Sequence, residues 1–410
     1  MPINWKSGRF KPALLLSKIE KSRKVLPDGG TSFGGFEIHE QTPVLYSMLE
    51  FPSVAEELDK PSLIWRALSK SRPDLSESNF LKAINTELSA QLSKKEERYQ
   101  LLTSLSFNNR NWPRQISVLG TKIELYGLSY PSKFSSRHAL VERYKLSGEI
   151  SEPSKQYCAI GVVIEAKSPD MAANRALRHL DLLRAIWCLL GNPGMQINFG
   201  SGEFKPINVV RLGSCHSIHK ADGAAASEGV WYDPAYRETK PFAFKSHVIP
   251  LRNTRYALRM LKLGSYGSQV SDSLVRFVRA FDEPDPNTAF LKLWSALELL
   301  ATPDVANYDK LIHRCSFLFQ DGEYHRQILN HLREYRNRSV HAGEEATQAR
   351  TNCFLLQNYY QELVWFHLRN ARFFSSLAEA NEYLSLPAEA NLLRRQGQLI
   401  AKAQKFVSSV

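Results

Sequence analysis

Cysteine is sparse in this sequence, and the five that occur are scattered singly. An odd number of well-separated cysteines does not fit the paired spacing of a disulfide-stapled secreted protein. Three of them fall in segments that read as buried helix or strand. The pattern is typical of a reduced protein and predicts a cytoplasmic location. The five are Cys158, Cys188, Cys215, Cys315 and Cys353.

Long apolar runs are also missing. Nothing in the sequence approaches the ~20 consecutive apolar residues that a membrane-spanning helix requires. The N-terminal run ALLLSKIEK reaches charged residues too early for a signal peptide. We therefore expect no membrane partner. A hydrophobic share of 43% and a charged share of 23% are those of a globular protein.

Acidic residues are outnumbered, 41 against 53 basic ones, which gives a formal net charge of +12. Such an excess favours an anionic partner such as RNA or DNA. Part of it is local, because seven Lys and Arg residues precede Pro27. That segment is either an RNA-contacting arm or an ordinary polar N-terminus.

The fold class predicted from the sequence is α+β. A chain of 410 residues is too long for one compact core. We expect a mixed α/β N-terminal domain over residues 1–245 and an all-helical domain over 246–410. The first domain could sense a signal, bind RNA or hold the second inactive.

Periodicity and end signals place the elements of the first domain. They predict a mixed sheet with helices on at least one face. The expected helices cover 76–96 and 168–190, and the expected strands cover 99–107, 116–127 (a hairpin around Gly120), 157–166, 195–200 and 207–212.

Strand signals vanish after about residue 250. Helices are expected at 252–263, 271–281 and 288–301, followed by three more and a last one over 388–406. The last helix carries four basic residues and could be a lid, a dimer arm or an RNA contact.

The run Arg336-Asn337-Arg338-Ser339-Val340-His341 closes one of these helices just before Gly343. At about 100° per residue, Leu329, Leu332 and Val340 share an apolar stripe, and Arg336 falls in its middle. Arg336 should therefore face protein, which is costly unless it is paired or ligated. An imidazole can transfer a proton near neutral pH, and a guanidinium can clamp a phosphate. Spacing alone favours a structural interpretation, in which a buried arginine pairs with a carboxylate and a surface histidine stands near the helix end.

The surrounding helices strengthen the functional interpretation. The pattern R-N-x-x-x-H at a helix end resembles the motif of HEPN-domain ribonucleases, and the wider match is similar to their ApeA-like branch. It comprises FLKLWSALELLA with Glu298, DKLIHRCSFLF with Arg314, Tyr335 before the motif, Ala342-Gly343 after it, and the long apolar helix from Thr351. The resemblance covers roughly residues 250–375.

This resemblance implies a four- or five-helix bundle that pairs as a homodimer, with the two motif helices meeting in a composite site; a higher homo-oligomer is the alternative. It implies RNA cleavage without a metal or another cofactor, leaving a 2′,3′-cyclic phosphate. His341 would transfer a proton, Arg336 would stabilise charge on the phosphate, and Asn337 would orient either group. Glu298, Arg314 and Tyr335 would support them, although a purely structural role for Glu298 and Arg314 is favoured.

From the resemblance we expect an endoribonuclease of a prokaryotic anti-phage defence or toxin system. Its substrate could be tRNA or phage or host transcripts, and a phage-derived trigger or regulatory partner could control it. Two alternatives stay open: a non-catalytic HEPN module for dimerisation or partner binding, and a nucleic-acid-binding regulator.

Three weaker patterns lie in the first domain. Cys215-His216-x-x-His219 offers zinc ligands, but no fourth ligand is evident nearby. The glycine-rich loop around Phe33 lacks the Gly-Lys-Ser/Thr of a phosphate-binding loop. The aromatic residues of 230–244 could stack on unpaired bases, but a packed loop is favoured.

Overall fold

The computed structural model describes residues 2–27, 30–151, 153–196, 206–233, 236–304, 307–341 and 348–408. Over these ranges it contains fourteen α-helices and a six-stranded antiparallel sheet, with two small strand pairs near the N-terminus. The α+β class is therefore confirmed.

The main sheet has the strand order β10-β9-β5-β8-β7-β6. Its β6–β7 hairpin turns through Leu119 and Gly120, which have φ values of 49° and 96°. Positive φ at both central residues is what a tight two-residue hairpin requires, so the glycine marks the turn as expected. The strands are β5 (Glu97–Leu105), β6 (Gln115–Val118), β7 (Thr121–Gly127), β8 (Cys158–Ala166), β9 (Cys215–Lys220) and β10 (Trp231–Tyr232), and the small pairs use β1 (Asn4–Trp5) with β4 (Leu49–Glu50) and β2 (Arg23–Val25) with β3 (Thr31–Phe33).

Two expectations about the sheet are wrong. Every neighbouring pair of the described strands is antiparallel, so the sheet is not mixed. The apolar run 207–212 is not a strand, because the N–H groups of Ile207 and Asn208 donate to the carbonyl of Phe281 at a helix end. The following segment, β9, pairs with β5 in the sheet instead. Of the expected strand 195–200, residues 197–200 lie outside the described residues.

Helix α6 (Pro169–Gly191) crosses from β8 to β9 and forms the centre of the molecule. Ser168 accepts a hydrogen bond from the Met171 N–H at 3.2 Å, and the proline stands in the first turn, as the sequence signal predicts. The helix packs on the sheet and also on the helical half. The two expected domains are thus joined through one continuous hydrophobic core.

The four helices before β5 pack against that core, whereas the helix at 136–146 packs on β9 with a separate small apolar cluster. Leu16 and Ile19 of the first helix are buried, so the basic N-terminal segment is folded rather than a free arm. These helices are α1 (Pro12–Ser22), α2 (Glu37–Met48), α3 (Lys60–Lys70), α4 (Glu77–Ser93) and α5 (Ser136–Leu146).

All described elements after residue 245 are helical, as expected. Helix α9 packs between α8 and α12, and α11 runs along α10. The last helix has no buried residue. The helices are α7 (Val248–Leu263), α8 (Gly267–Asp282), α9 (Pro286–Ala301), α10 (Tyr308–Ser316), α11 (Gly322–His341), α12 (Ala349–Arg369), α13 (Leu377–Leu384) and α14 (Ala390–Val407).

An ion network ties α6 to α8. Arg184 is fully buried, and its Nη2 contacts Asp181 at 2.6 Å and Asp282 at 2.9 Å. Arg279 reaches the other oxygen of Asp181 at 2.8 Å. Carboxylates therefore compensate this buried guanidinium from both helices.

All five cysteines are buried, and none of them forms a disulfide. Within the described part of the chain, no helix combines the length and apolar character needed to cross a bilayer.

Candidate functional site

Helix α11 carries the Arg-Asn-His run at its C-terminal end. Leu329 and Leu332 are fully buried, which confirms their place on the apolar stripe. Val340 shares their side of the helix but is 47% exposed. Tyr335 holds the helix against α9: its ring meets Phe290 edge-on at 4.7 Å, and its hydroxyl donates to the side-chain oxygen of Asn287.

Arg336 is half-buried, as its helical phase predicts. Its guanidinium carbon lies over the ring of Tyr308, 5.2 Å from the centroid. Among the described residues, no carboxylate pairs with it. The neighbouring Arg333 also lies over the Tyr308 ring, at 5.7 Å from the centroid, but its Nη1 donates to Asp309 at 2.8 Å.

Tyr308, which the sequence interpretation missed, connects Arg336 to helix α9. Its ring meets that of Trp294 edge-on at a centroid distance of 6.0 Å, and Trp294 Nε1 donates to Glu298 Oε1 at 3.0 Å. The signal was available in the sequence, since Tyr308 directly follows Asn307, which caps α10. Glu298 is thus linked to Arg336 through two aromatic rings.

Arg314 has a different role. Its Nη1 donates to the Ala301 carbonyl at the end of α9, and its Nε donates to Ser385 Oγ at 2.8 Å. Burial lowers the pKa of its guanidinium below the ordinary value. Its described contacts close the ends of two helices rather than pair with Glu298, which favours the structural interpretation.

Asn337 is half-buried beside Arg336, while Arg338 is exposed. His341 is the last residue of α11. The side chain of His341 and the following Ala342-Gly343 pair lie outside the described residues. The helix therefore presents Arg336 and Asn337 next to each other one turn before His341.

The weaker patterns are accounted for by packing. His216 and His219 are three residues apart on β9 and project from opposite sheet faces, so they do not converge on one metal. Burial lowers the pKa of His216 to about 3, which keeps it neutral against Thr103 Oγ1 at 2.6 Å. Phe242 and Phe244 pack against Phe107, in agreement with a packed loop. In the glycine-rich loop, residues 28 and 29 lie outside the described residues.

No family model, no curated protein and no solved structure matches this chain. The similarity to HEPN ribonucleases rests on the residues quoted above.

Proposed function

We propose that the helical half is a metal-independent endoribonuclease of the HEPN type, and that the chain acts as a homodimer with a composite site. The observation that carries the proposal is that the Arg336 guanidinium contacts the Tyr308 ring and pairs with no carboxylate among the described residues. A ring contact on the flat face of a guanidinium uses none of its in-plane N–H donors. Those donors are therefore available to a phosphate, whereas Nη1 of Arg333 on the same helix donates to Asp309.

The chemistry needs a proton-transfer group and stabilisation of the phosphate. The ribose 2′-oxygen attacks the adjacent phosphorus, the 5′-oxygen leaves, and a 2′,3′-cyclic phosphate and a 5′-hydroxyl are formed. His341 takes the 2′ proton or gives one to the leaving oxygen. Arg336 stabilises the charge that builds on the phosphate, and Asn337 orients the phosphate or the imidazole. Two motif helices across a dimer would supply one base and one acid.

The aromatic contacts behind Arg336 give the guanidinium a fixed support. Tyr308 and Trp294 occupy the space between it and Glu298. In this arrangement Glu298 and Tyr335 are positioning residues, since they act through the packing of α9 against α11. A role in prokaryotic defence or as a toxin, with RNA as target and a phage-derived trigger, comes from the resemblance.

The test is cleavage of an end-labelled RNA by purified protein in EDTA. His341→Ala and Arg336→Ala should each lower the rate by about 100-fold or more, the usual scale for losing a proton-transfer or charge-stabilising group. Arg338→Ala removes the same charge from the same helix and should cleave about as fast as wild type. Light scattering should find each variant dimeric.

Equal cleavage by wild type and His341→Ala would contradict the catalytic assignment. RNA binding that weakens steeply with salt and survives His341→Ala, without cleavage by any variant, would identify the nucleic-acid-binding regulator instead.

A further inference from the structure

A cavity of about 500 Å³ lies in the first half of the chain, at the beginning of α5. Its walls come from the segment before that helix and from the ends of β5 and β8. They include the aromatic rings of Tyr130 and Phe134 and the hydroxyls of Ser104, Ser132 and Ser135. None of the described residues that line it is acidic.

Arg137 forms part of the same wall and is only 6% exposed. Its Nη1 donates to the Leu102 carbonyl at 3.1 Å and to Ser217 Oγ at 2.5 Å, and its Nη2 donates to the Cys215 carbonyl at 3.1 Å. Tyr130 lies over its guanidinium, with the carbon 4.9 Å from the ring centroid. These are neutral partners.

Among the described residues, the other buried arginines, Arg23, Arg184 and Arg211, each pair with a carboxylate. Arg184 has two carboxylates, Asp181 and Asp282, within 3 Å. For Arg137, no carboxylate makes an ion pair among the described residues. Removing a guanidinium from water costs several kcal/mol, which hydrogen bonds to carbonyls offset only in part. Within the described ranges, the charge beside the cavity therefore has no counter-ion.

The start of α5 adds to the positive potential. The first turn of this helix contains no acidic residue, and the Ser135 side chain makes no capping hydrogen bond. The N–H groups of a helix start attract anions, and the helix dipole acts in the same sense. The cavity thus combines a buried cation, a helix start, seryl hydroxyls and aromatic walls.

We propose that this cavity binds a small organic anion, in which an aromatic or apolar body carries one carboxylate or phosphate group. The anionic group would lie toward Arg137 and the start of α5, and the body would pack against Tyr130 and Phe134. This site is separate from the Arg336 region and does not depend on RNA cleavage.

Paired probes test the charge requirement. Benzoate is compared with benzamide, and adenosine monophosphate with adenosine, by calorimetry on the full-length protein at probe concentrations up to about 1 mM, where a Kd corresponds to about −4 kcal/mol. At least one anion should bind about tenfold or more tightly than its neutral counterpart, and the choice between carboxylate and phosphate identifies the group. Failure of both anions to bind, or equal binding of anionic and neutral members, would overturn the proposal.

Variants then locate the site. Ser135→Asp puts a carboxylate on the cavity wall at a helix start, where aspartate is well tolerated, and should weaken anion binding by about tenfold or more. Ala139→Asp is the matched control, since Ala139 is exposed on α5 but does not line the cavity. It should bind the anion within about twofold of wild type. Arg137→Gln should lose binding, and if that variant does not fold, the Asp pair alone decides. Unchanged binding in Ser135→Asp would also overturn the proposal.

Discussion

Replacing Asp282 with asparagine should destabilise the protein far more than the same substitution at the exposed Asp272 does. Asp282 supplies one of two carboxylates to Arg184, which is fully buried, and it also accepts from Asn208 Nδ2 at 2.9 Å. Asp282→Asn keeps the volume but removes one negative charge from a network containing Arg184, Arg211 and Arg279. Breaking one side of a buried ion pair costs about 3–5 kcal/mol.

The effect on melting follows from the size of the chain. At about 2.1 cal/mol/K per residue, 410 residues give an unfolding entropy near 0.9 kcal/mol/K if the chain unfolds as one unit. A loss of about 3–5 kcal/mol then lowers Tm by about 3–6 °C. Differential scanning calorimetry measures this shift directly.

The same two helices contain a matched control. Asp272 of α8 pairs with Arg178 of α6, and the two side chains are 44% and 49% exposed. An exposed pair contributes about 0–1 kcal/mol, so Asp272→Asn should move Tm by about 1 °C or less. Equal shifts for the two variants, or a shift below about 1 °C for Asp282→Asn, would refute this account of how the halves are joined.

Two further predictions concern single aromatic and imidazole rings. Tyr308→Leu should lower RNA cleavage by about two- to fivefold, because it removes a cation–π contact worth about 0.5–1 kcal/mol to Arg336. Tyr308→Phe keeps the ring and should keep the rate, so equal rates for the two variants would count against a role for the ring. Burial lowers the pKa of His367 to about 3, so the unfolded chain binds a proton below its ordinary value of 6.5 while the folded chain does not. His367 should therefore contribute a fall in stability of up to about 1.4 kcal/mol for each pH unit between its unfolded pKa of 6.5 and its folded pKa of about 3. His367→Phe should reduce the fall of Tm between pH 6 and 4, and an unchanged slope would show that His367 does not contribute to it.

Local signals predicted the elements that depend on local chemistry. Ser168 and the proline after it start α6, and Gly120 turns the β6–β7 hairpin, because capping and positive φ are properties of a few adjacent residues. The prediction of a strand at 207–212 is wrong because the composition of this run does not reveal a distant contact. The N–H groups at its start donate to the end of a helix about seventy residues away.

In the motif helix α11, too, the sequence predicted local features but not those that depend on packing. Periodicity places Leu329, Leu332 and Val340 on one side of the helix, but it does not tell how far the neighbouring helices extend. Leu329 and Leu332 are buried, whereas Val340 is exposed. The phase of Arg336 indicated that it faces protein. That its partner is the Tyr308 ring rather than a carboxylate depends on the packing of α10 against α11.

The central proposal is that Arg336, Asn337 and His341 cleave RNA. Its most direct test is sequencing of RNA ends in cells that express wild type or His341→Ala at equal levels, with the library restricted to 2′,3′-cyclic phosphate ends. The account predicts new cyclic-phosphate ends at defined RNA positions with wild type and their disappearance with His341→Ala. The same ends at the same abundance in both cultures would contradict it.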